Sequence, residues 1–317
     1  MKKCTKKLLV ILSFLFVCNL LSSNTFALNN TNIDNISEFL STCQIQSNKV
    51  WISNSIPTYR DDTKVNDDIN YLIFLEESII GILTNTEGVL TYTDLTTKSI
   101  NNYKFENIRA IEYTDLDTII YLDDIAYSII DNDFISLSRV NYELFNLNIQ
   151  EVNLHQTRAS SKYLNVPKYQ QDTSYTCWAT CIASVAKYKG KPYTTPSTIS
   201  RNHGIDPNTR GATIGETKLA MSSQFGIQSS VISNGPSATE LINLINSDKP
   251  LITGFLSSTS GHMCIIRGYA EGSSYYTVSY MDPSSATYKT SQIITDRKIQ
   301  FKVGNITYTS ASYLKLS

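Results

Sequence analysis

Two hydrophobic periodicities divide the chain. Between Trp51 and Leu154, short apolar and β-branched runs alternate with Asn, Asp and Gly: Tyr71–Leu75, Ile79–Leu83, Val89–Tyr92, Ile108–Tyr113, Thr118–Leu122, Ile125–Ile130 and Phe134–Leu137. Runs of this length broken by turn residues predict consecutive antiparallel strands. From Cys177 the period becomes helical, with Trp178, Ile182, Val185 and Ala186 on one face and Gly190 as the stop. Pro196–His203 and Ile214–Phe225 are further predicted helices, each followed by Gly. Ser237-Ala238-Thr239-Glu240 reads as a capping box ahead of Leu241, Ile242, Leu244 and Ile245, and Pro250 closes that helix. Strand patterns then take over at Leu251–Leu256, Met263–Tyr269 and Tyr275–Met281, with more toward the C-terminus. Helices first and strands after is an α+β order. Residues 28–50 read as a helical entry to the first region.

The N-terminus has the pattern of a processing signal. Lys2, Lys3, Lys6 and Lys7 precede an apolar run from Leu8 to Leu21, and Thr25-Phe26-Ala27 offers a cut after Ala27. The run is too short and poorly bounded for a membrane span. Leu15-Phe16-Val17-Cys18 lacks the small residues of a lipid-attachment site. A secreted chain without stable membrane insertion is therefore expected. Four predicted segments follow: a signal peptide 1–27, a mostly-β region 28–155, an exposed linker 156–163, and a second domain 164–317. The linker is short, polar and without periodicity, the kind of segment that proteases cut.

Charge sharpens this division. The chain of 317 residues has a formal net charge of −1, which points away from a nucleic-acid partner. Residues 28–155 carry 20 Asp/Glu against 7 Lys/Arg, whereas residues 156–317 carry 8 against 16. An acidic half followed by a basic half suggests two surfaces that dock on each other, or else a drift in composition between two domains. Beyond the leader, the cysteines are Cys43, Cys177, Cys181 and Cys264, too few and too scattered for a disulfide scaffold.

Candidate chemistry is confined to the second half. Cys177 falls at a predicted helix start, where free N–H groups and the helix dipole favour a thiolate. Of the three histidines, His155 lies in the linker region and His203 at a helix terminus, both read as surface residues. His262 follows a Gly and opens an apolar strand, a rigid mount for a proton-transferring imidazole. Asp282 ends the next strand before Pro283 and can orient the other ring nitrogen. Either Gln170 or Gln171 can present an amide to a developing oxyanion. No metal-ligand spacing, phosphate-binding loop, dinucleotide fingerprint or serine-nucleophile elbow is visible, so no cofactor is expected.

The blocks Gln171-x5-Cys177-Trp178-Ala179, Gly261-His262-x5-Gly268-Tyr269 and Asp282-Pro283 resemble the papain-like cysteine peptidase superfamily. The likeness is to its compact bacterial branches, such as staphopains, bacteriocin-processing peptidases and plant-pathogen effector peptidases. It covers roughly residues 164–317. It implies Cys177 as nucleophile, His262 as base and acid, Asp282 as orienting residue, and Gln171 rather than Gln170 at the oxyanion. The Cys-Gly-Ser-Cys-Trp block of plant and lysosomal papains is absent, the Cys–His separation is only 85 residues, and Asp stands in the third position. Cathepsin-like substrate preference is therefore not implied.

These readings together describe a papain-like catalytic domain, with a helical first part and a C-terminal antiparallel sheet, preceded by a mostly-β pro-domain. The expected function is a secreted zymogen from a Gram-positive bacterium. It takes a protein or peptide substrate, has its own pro-domain as intramolecular inhibitor, and is processed near Arg158. The alternatives are a peptidoglycan cross-peptide amidase and a catalytically inactive surface-binding protein. Cys181 and Cys264 are expected to pack near the site as core residues, and Trp178 to fill the core behind Cys177.

Overall fold

The computed structural model describes residues 30–60, 63–76, 78–86, 89–96, 98, 100, 108–113, 117–122, 125–136, 147, 149–154, 160–272, 275–295, 298–303 and 306–317. The expected signal peptide 1–27, His155 and the expected cut near Arg158 lie outside these residues.

The first region is built from strands, as its alternating pattern requires. A helix, α1 (Asn30–Ser41), buries Ile36, Phe39 and Leu40. Strand β1 (Lys49–Ser53) pairs with β10 (Ile149–Asn153) on one side and β3 (Thr63–Leu75) on the other. β3 continues into a meander with β4 (Ser78–Thr86) and β5 (Val89–Asp94). β2 (Ile56–Arg60) pairs with β3 and runs parallel to β6 (Ala110–Tyr113). From β6 a second meander passes through β7 (Thr118–Tyr121), β8 (Ile125–Ser128) and β9 (Asp133–Ser136). Leu72, Phe74, Ile79, Ile82, Ile111, Ile120 and Tyr127 share its core.

β3 is longer than its sequence pattern suggests. Its first half, Thr63–Asn70, reads Thr-Lys-Val-Asn-Asp-Asp-Ile-Asn, too polar for local propensity to favour a strand. Pairing with β2 on one side and β4 on the other supplies the backbone hydrogen bonds that propensity does not.

The second region opens with helices α2 (Cys177–Tyr188), α3 (Pro196–Asn202), α4 (Ile214–Phe225) and α5 (Ala238–Asn246). α4 and α5 both begin with reciprocal capping boxes, Thr213 with Glu216 and Ser237 with Glu240. Gly226 ends α4 at a φ of 69°, a left-handed conformation in which a Cβ is strained.

Six strands follow: β13 (Leu251–Leu256), β14 (Gly261–Glu271), β15 (Tyr276–Asp282), β16 (Thr287–Thr295), β17 (Lys298–Val303) and β18 (Ile306–Leu316). Each pairs antiparallel with the next, and β18 returns to β13, so the strands close into a barrel. Closure removes the unpaired edges of an open sheet. Two short strands extend it: β11 (Ser161–Tyr163) on β14, and β12 (Ser229–Ser233) on β18. β12 carries no periodic signal of its own, and its place is set by pairing with β18.

The two regions meet in one sheet. β5 pairs with β16 through Thr91–Thr93 against Lys289–Ser291, and residues 36–317 form one compact unit. Arg267 is a second tie. A register shift between Ile266 and Gly268 places it at a bulge, so this charged residue is buried inside an apolar strand. Its guanidinium donates to Leu164 O at 2.8 Å, Ser279 Oγ at 2.9 Å and Gln44 Oε1 at 3.0 Å, and lies over the Tyr288 ring. Gly268 lets β11 approach this bulge, since a Cβ there would lie 2.7 Å from the Lys162 carbonyl.

Gly268→Ala must push β11 off β14 and is expected to cost about 1–3 kcal/mol. Denaturant unfolding of this variant beside Gly211→Ala measures it, because a Cβ at Gly211 meets nothing closer than 3.7 Å. Equal stability of the two would contradict the close-approach argument.

Candidate active site

α2 positions the sulfur. Trp178, Cys181, Ile182 and Val185 are fully buried and press the helix into the core, leaving Cys177 at its first position, 9% exposed. Thr176 is the N-cap but gives its side chain to other partners. Its hydroxyl donates to Asp172 Oδ1 at 2.9 Å and accepts from Thr173 N–H at 3.1 Å. Asp172 also accepts from Ser197 N–H at 3.0 Å, bracing the loop against the start of α3. Burial alone would raise the Asp172 carboxyl, but the hydrogen bonds from Ser197 and Thr176 outweigh it and hold the pKa down. Asp172 escaped the sequence reading, although Asp-x3-Thr immediately before the cysteine is the signal that marks it.

The barrel positions His262 and Asp282. His262 is the second residue of β14 and Asp282 the last of β15. The ring Nε2 lies 2.8 Å from Asp282 Oδ1, which leaves Nδ1 for the Cys177 thiol with which the imidazole hydrogen-bonds. Asp282 is almost wholly buried and accepts three further hydrogen bonds: Ser284 N–H at 3.0 Å, Ser284 Oγ–H at 2.8 Å, and Lys289 Nζ–H at 2.7 Å.

The electrostatics follow from this packing. Burial pushes the Cys177 thiol up. The hydrogen bond and charge of His262, with N–H groups of Met263 and Trp178, outweigh that and bring it below its ordinary value. Burial resists the imidazolium of His262, yet the Asp282 carboxylate and the hydrogen bonds to Asp282 and Cys177 raise it well above the usual histidine range. Burial likewise opposes charge on Asp282, but Lys289 and His262 hold it well below the carboxylate range. A thiolate–imidazolium pair is the state these shifts favour.

The neighbouring thiols behave differently. Cys43, Cys177, Cys181 and Cys264 are all free, so the pairings that an even count permits do not form. Burial pushes Cys264 up to about 11 and Cys181 well above its usual value, so both keep their protons at neutral pH. His262, Cys264 and Asp282 bring one potential metal-ligand atom each within 4.8 Å. That set is already committed, since His262 holds Asp282, Asp282 holds Lys289 and Ser284, and Cys264 is protonated.

The two glutamines separate clearly. Gln170 Nε2–H donates to Ile130 O at 2.6 Å, in the first region. Gln171 is anchored through its backbone, whose N–H donates to Pro283 O at 2.9 Å beside Asp282. Its side-chain Oε1, an acceptor, is buried without a hydrogen-bond partner. Gln171, His262 and Asp282 line a cavity of about 1030 Å³ that is also lined by Thr84, Thr91 and Asp131 of the first region. His203, expected at the surface, is half-buried at the end of α3 with its ring edge toward Trp178.

Residues 160–295 match the family described as papain-like cysteine protease AvrRpt2. Among solved structures, UfSP from C. elegans is similar at 12% identity and a TM-score of 0.30, over 51% of this chain and 34% of that one. No curated protein is significantly similar.

At pH 6, Cys177 is expected to react with iodoacetamide several-fold faster than free cysteine, whose pKa of about 8.5 leaves it almost wholly protonated. The pair exists between the lowered thiol pKa and the raised imidazole pKa, so this reactivity falls on acidification through the first. His262→Ala removes the hydrogen bond and charge that do most to offset burial and is expected to bring the rate at pH 6 below that of free cysteine. Equal rates for wild type and His262→Ala would contradict the pairing.

Proposed function

We propose that this chain, whose residues 160–295 belong to the papain-like cysteine peptidase superfamily, is a secreted cysteine endopeptidase made as a zymogen. One observation carries the reading: the buried hydrogen-bonded sequence from Cys177 through His262 to Asp282, opening beside a cavity large enough for an extended peptide. The Cys177 thiolate attacks a peptide carbonyl carbon, and the carbonyl electrons move onto oxygen. The Gln171 amide and the Cys177 backbone N–H donate to that oxyanion. His262 gives its proton to the departing amine, the C–N bond breaks, and a thioester remains on Cys177. His262, neutral at that point, takes a proton from water as the water attacks the thioester; the C–S bond breaks, the acid product leaves, and the thiolate–imidazolium pair is restored.

The first region fits the role of an intramolecular inhibitor and pro-domain. Its Ile130 carbonyl is bonded to Gln170, immediately before the oxyanion residue, and Thr84, Thr91 and Asp131 face the cavity. A chain lining that cavity restricts the approach of a protein substrate. Cleavage near Arg158 separates the two regions covalently and is the expected activating step.

Expressed from Leu28, wild type is expected to lose an N-terminal fragment of about half the chain over time, and to hydrolyse casein. Cys177→Ala is expected to do neither, as intact-mass spectrometry and a casein assay will show. Gln171→Ala is expected to lower kcat about 10²–10³-fold while leaving Cys177 alkylation unchanged. Full casein hydrolysis by Cys177→Ala would overturn the proposal.

A further inference from the structure

Asp282 has two oxygens, and they are held differently. Oδ1 takes His262 and both donors of Ser284, whereas the single hydrogen bond to Oδ2 comes from Lys289 Nζ–H at 2.7 Å. Lys289 stands on β16, the strand between β15 and the first region's β5, opposite Tyr280 on one side and Thr93 on the other. Its side chain is only 15% exposed, so its ammonium has left bulk water for this carboxylate.

Charge accounting explains why. A thiolate on Cys177, an imidazolium on His262 and a carboxylate on Asp282 amount to one net negative charge in a water-poor site. Lys289 makes the buried set neutral. Buried charges are tolerated when paired and hydrogen-bonded, and an unpaired one is expensive. Other titratable groups facing this set include Cys181 from α2, Cys264 from β14, Tyr280 from β15, whose hydroxyl burial keeps protonated, and Lys98 from the first region. Cys181 and Cys264 are protonated at neutral pH and carry no charge. Lys98 donates to Ile129 O and has Asp117 and Lys168 as further charged neighbours.

We infer that Lys289 is a positioning residue of the Cys177–His262–Asp282 relay, a fixed cation that holds Asp282 ionised and aimed at His262. This rests on the reading of Cys177 and His262 as the reactive pair, and it adds a fourth charge set by the strand on which the first region docks. Lys289 touches no reacting atom. It acts through Asp282 and through its charge.

The two ways in which a lysine can matter here predict opposite signatures. Loss of a nearby positive charge raises the pKa of both Cys177 and His262, because each protonation becomes more favourable. Loss of mere structural support separates the pair, which raises the thiol pKa and lowers that of the imidazole. The test is the pH profile of Cys177 alkylation by iodoacetamide in the full chain from Leu28, for Lys289→Met, Lys289→Gln and Lys289→Arg, with melting temperatures alongside. Both transitions are expected to move up by about one pH unit in the Met and Gln variants, and Lys289→Arg is expected to keep the wild-type profile. Unshifted transitions in the neutral variants, transitions that move in opposite directions, or a shift in Lys289→Arg would overturn the inference. Loss of folding in both neutral variants assigns Lys289 a structural role and overturns it as well. Alkylation needs no peptide hydrolysis, so failure of wild type to cleave casein bears on the proposed function and not on Lys289.

Discussion

The structure turns on keeping ionised groups together in a place that water scarcely reaches. Cys177, His262 and Asp282 are all buried or nearly so, and burial by itself would neutralise each of them. Their charged forms survive because each is the other's hydrogen-bond partner, with the start of a helix behind the sulfur and an ammonium behind the carboxylate. This constraint explains the layout. α2 needs an apolar face throughout its length to hold its first residue still, and the barrel needs closed pairing to hold β14, β15 and β16 in register. The loop before α2 is fixed at both ends, by the Gln171 bond to Pro283 and by the Asp172 bonds to Thr176 and Ser197.

The first region is tied into the same framework. Its β5 extends the barrel at β16, Gln44 meets Arg267, and Ile130 meets Gln170. The Lys168–Asp94 pair across the junction is 3.9 Å apart, and the close contacts named above use backbone and amide groups. Surface charge asymmetry steers association, whereas strand pairing and hydrogen bonds define the docked register. The junction therefore reaches Lys289 through main-chain pairing, and through Lys289 it reaches Asp282.

What could be read from the sequence was whatever has a local cause. α4 spans the predicted Ile214–Phe225 because its capping box, its apolar face and Gly226 act within a few residues of one another. Cys177 at a helix start was legible for the same reason, and so was the order of Gln171, Cys177, His262 and Asp282. The rest depends on partners far along the chain. The polar half of β3 is a strand only because β2 and β4 flank it, and β12 only because β18 does. Arg267 looks like an error in an apolar run until the bulge turns it toward Leu164, Gln44 and Ser279. Lys289 carries no motif at all, since its meaning comes from the register of β16 against β15. The choice between Gln170 and Gln171 rested on a resemblance, and the contact of the Gln170 amide N–H with the Ile130 carbonyl lies too far along the chain for any local pattern to show it.

The central claim is that His262 is an imidazolium at neutral pH because the Cys177 thiolate and Asp282 surround it. Direct titration of the His262 ring by ¹⁵N NMR, in wild type and in Cys177→Ala, tests this without any substrate. The account predicts a wild-type ring protonated on both nitrogens at neutral pH, and a lower pKa in Cys177→Ala, where the thiolate partner is gone. A neutral His262 at pH 7 in wild type, or the same titration in both proteins, would contradict it.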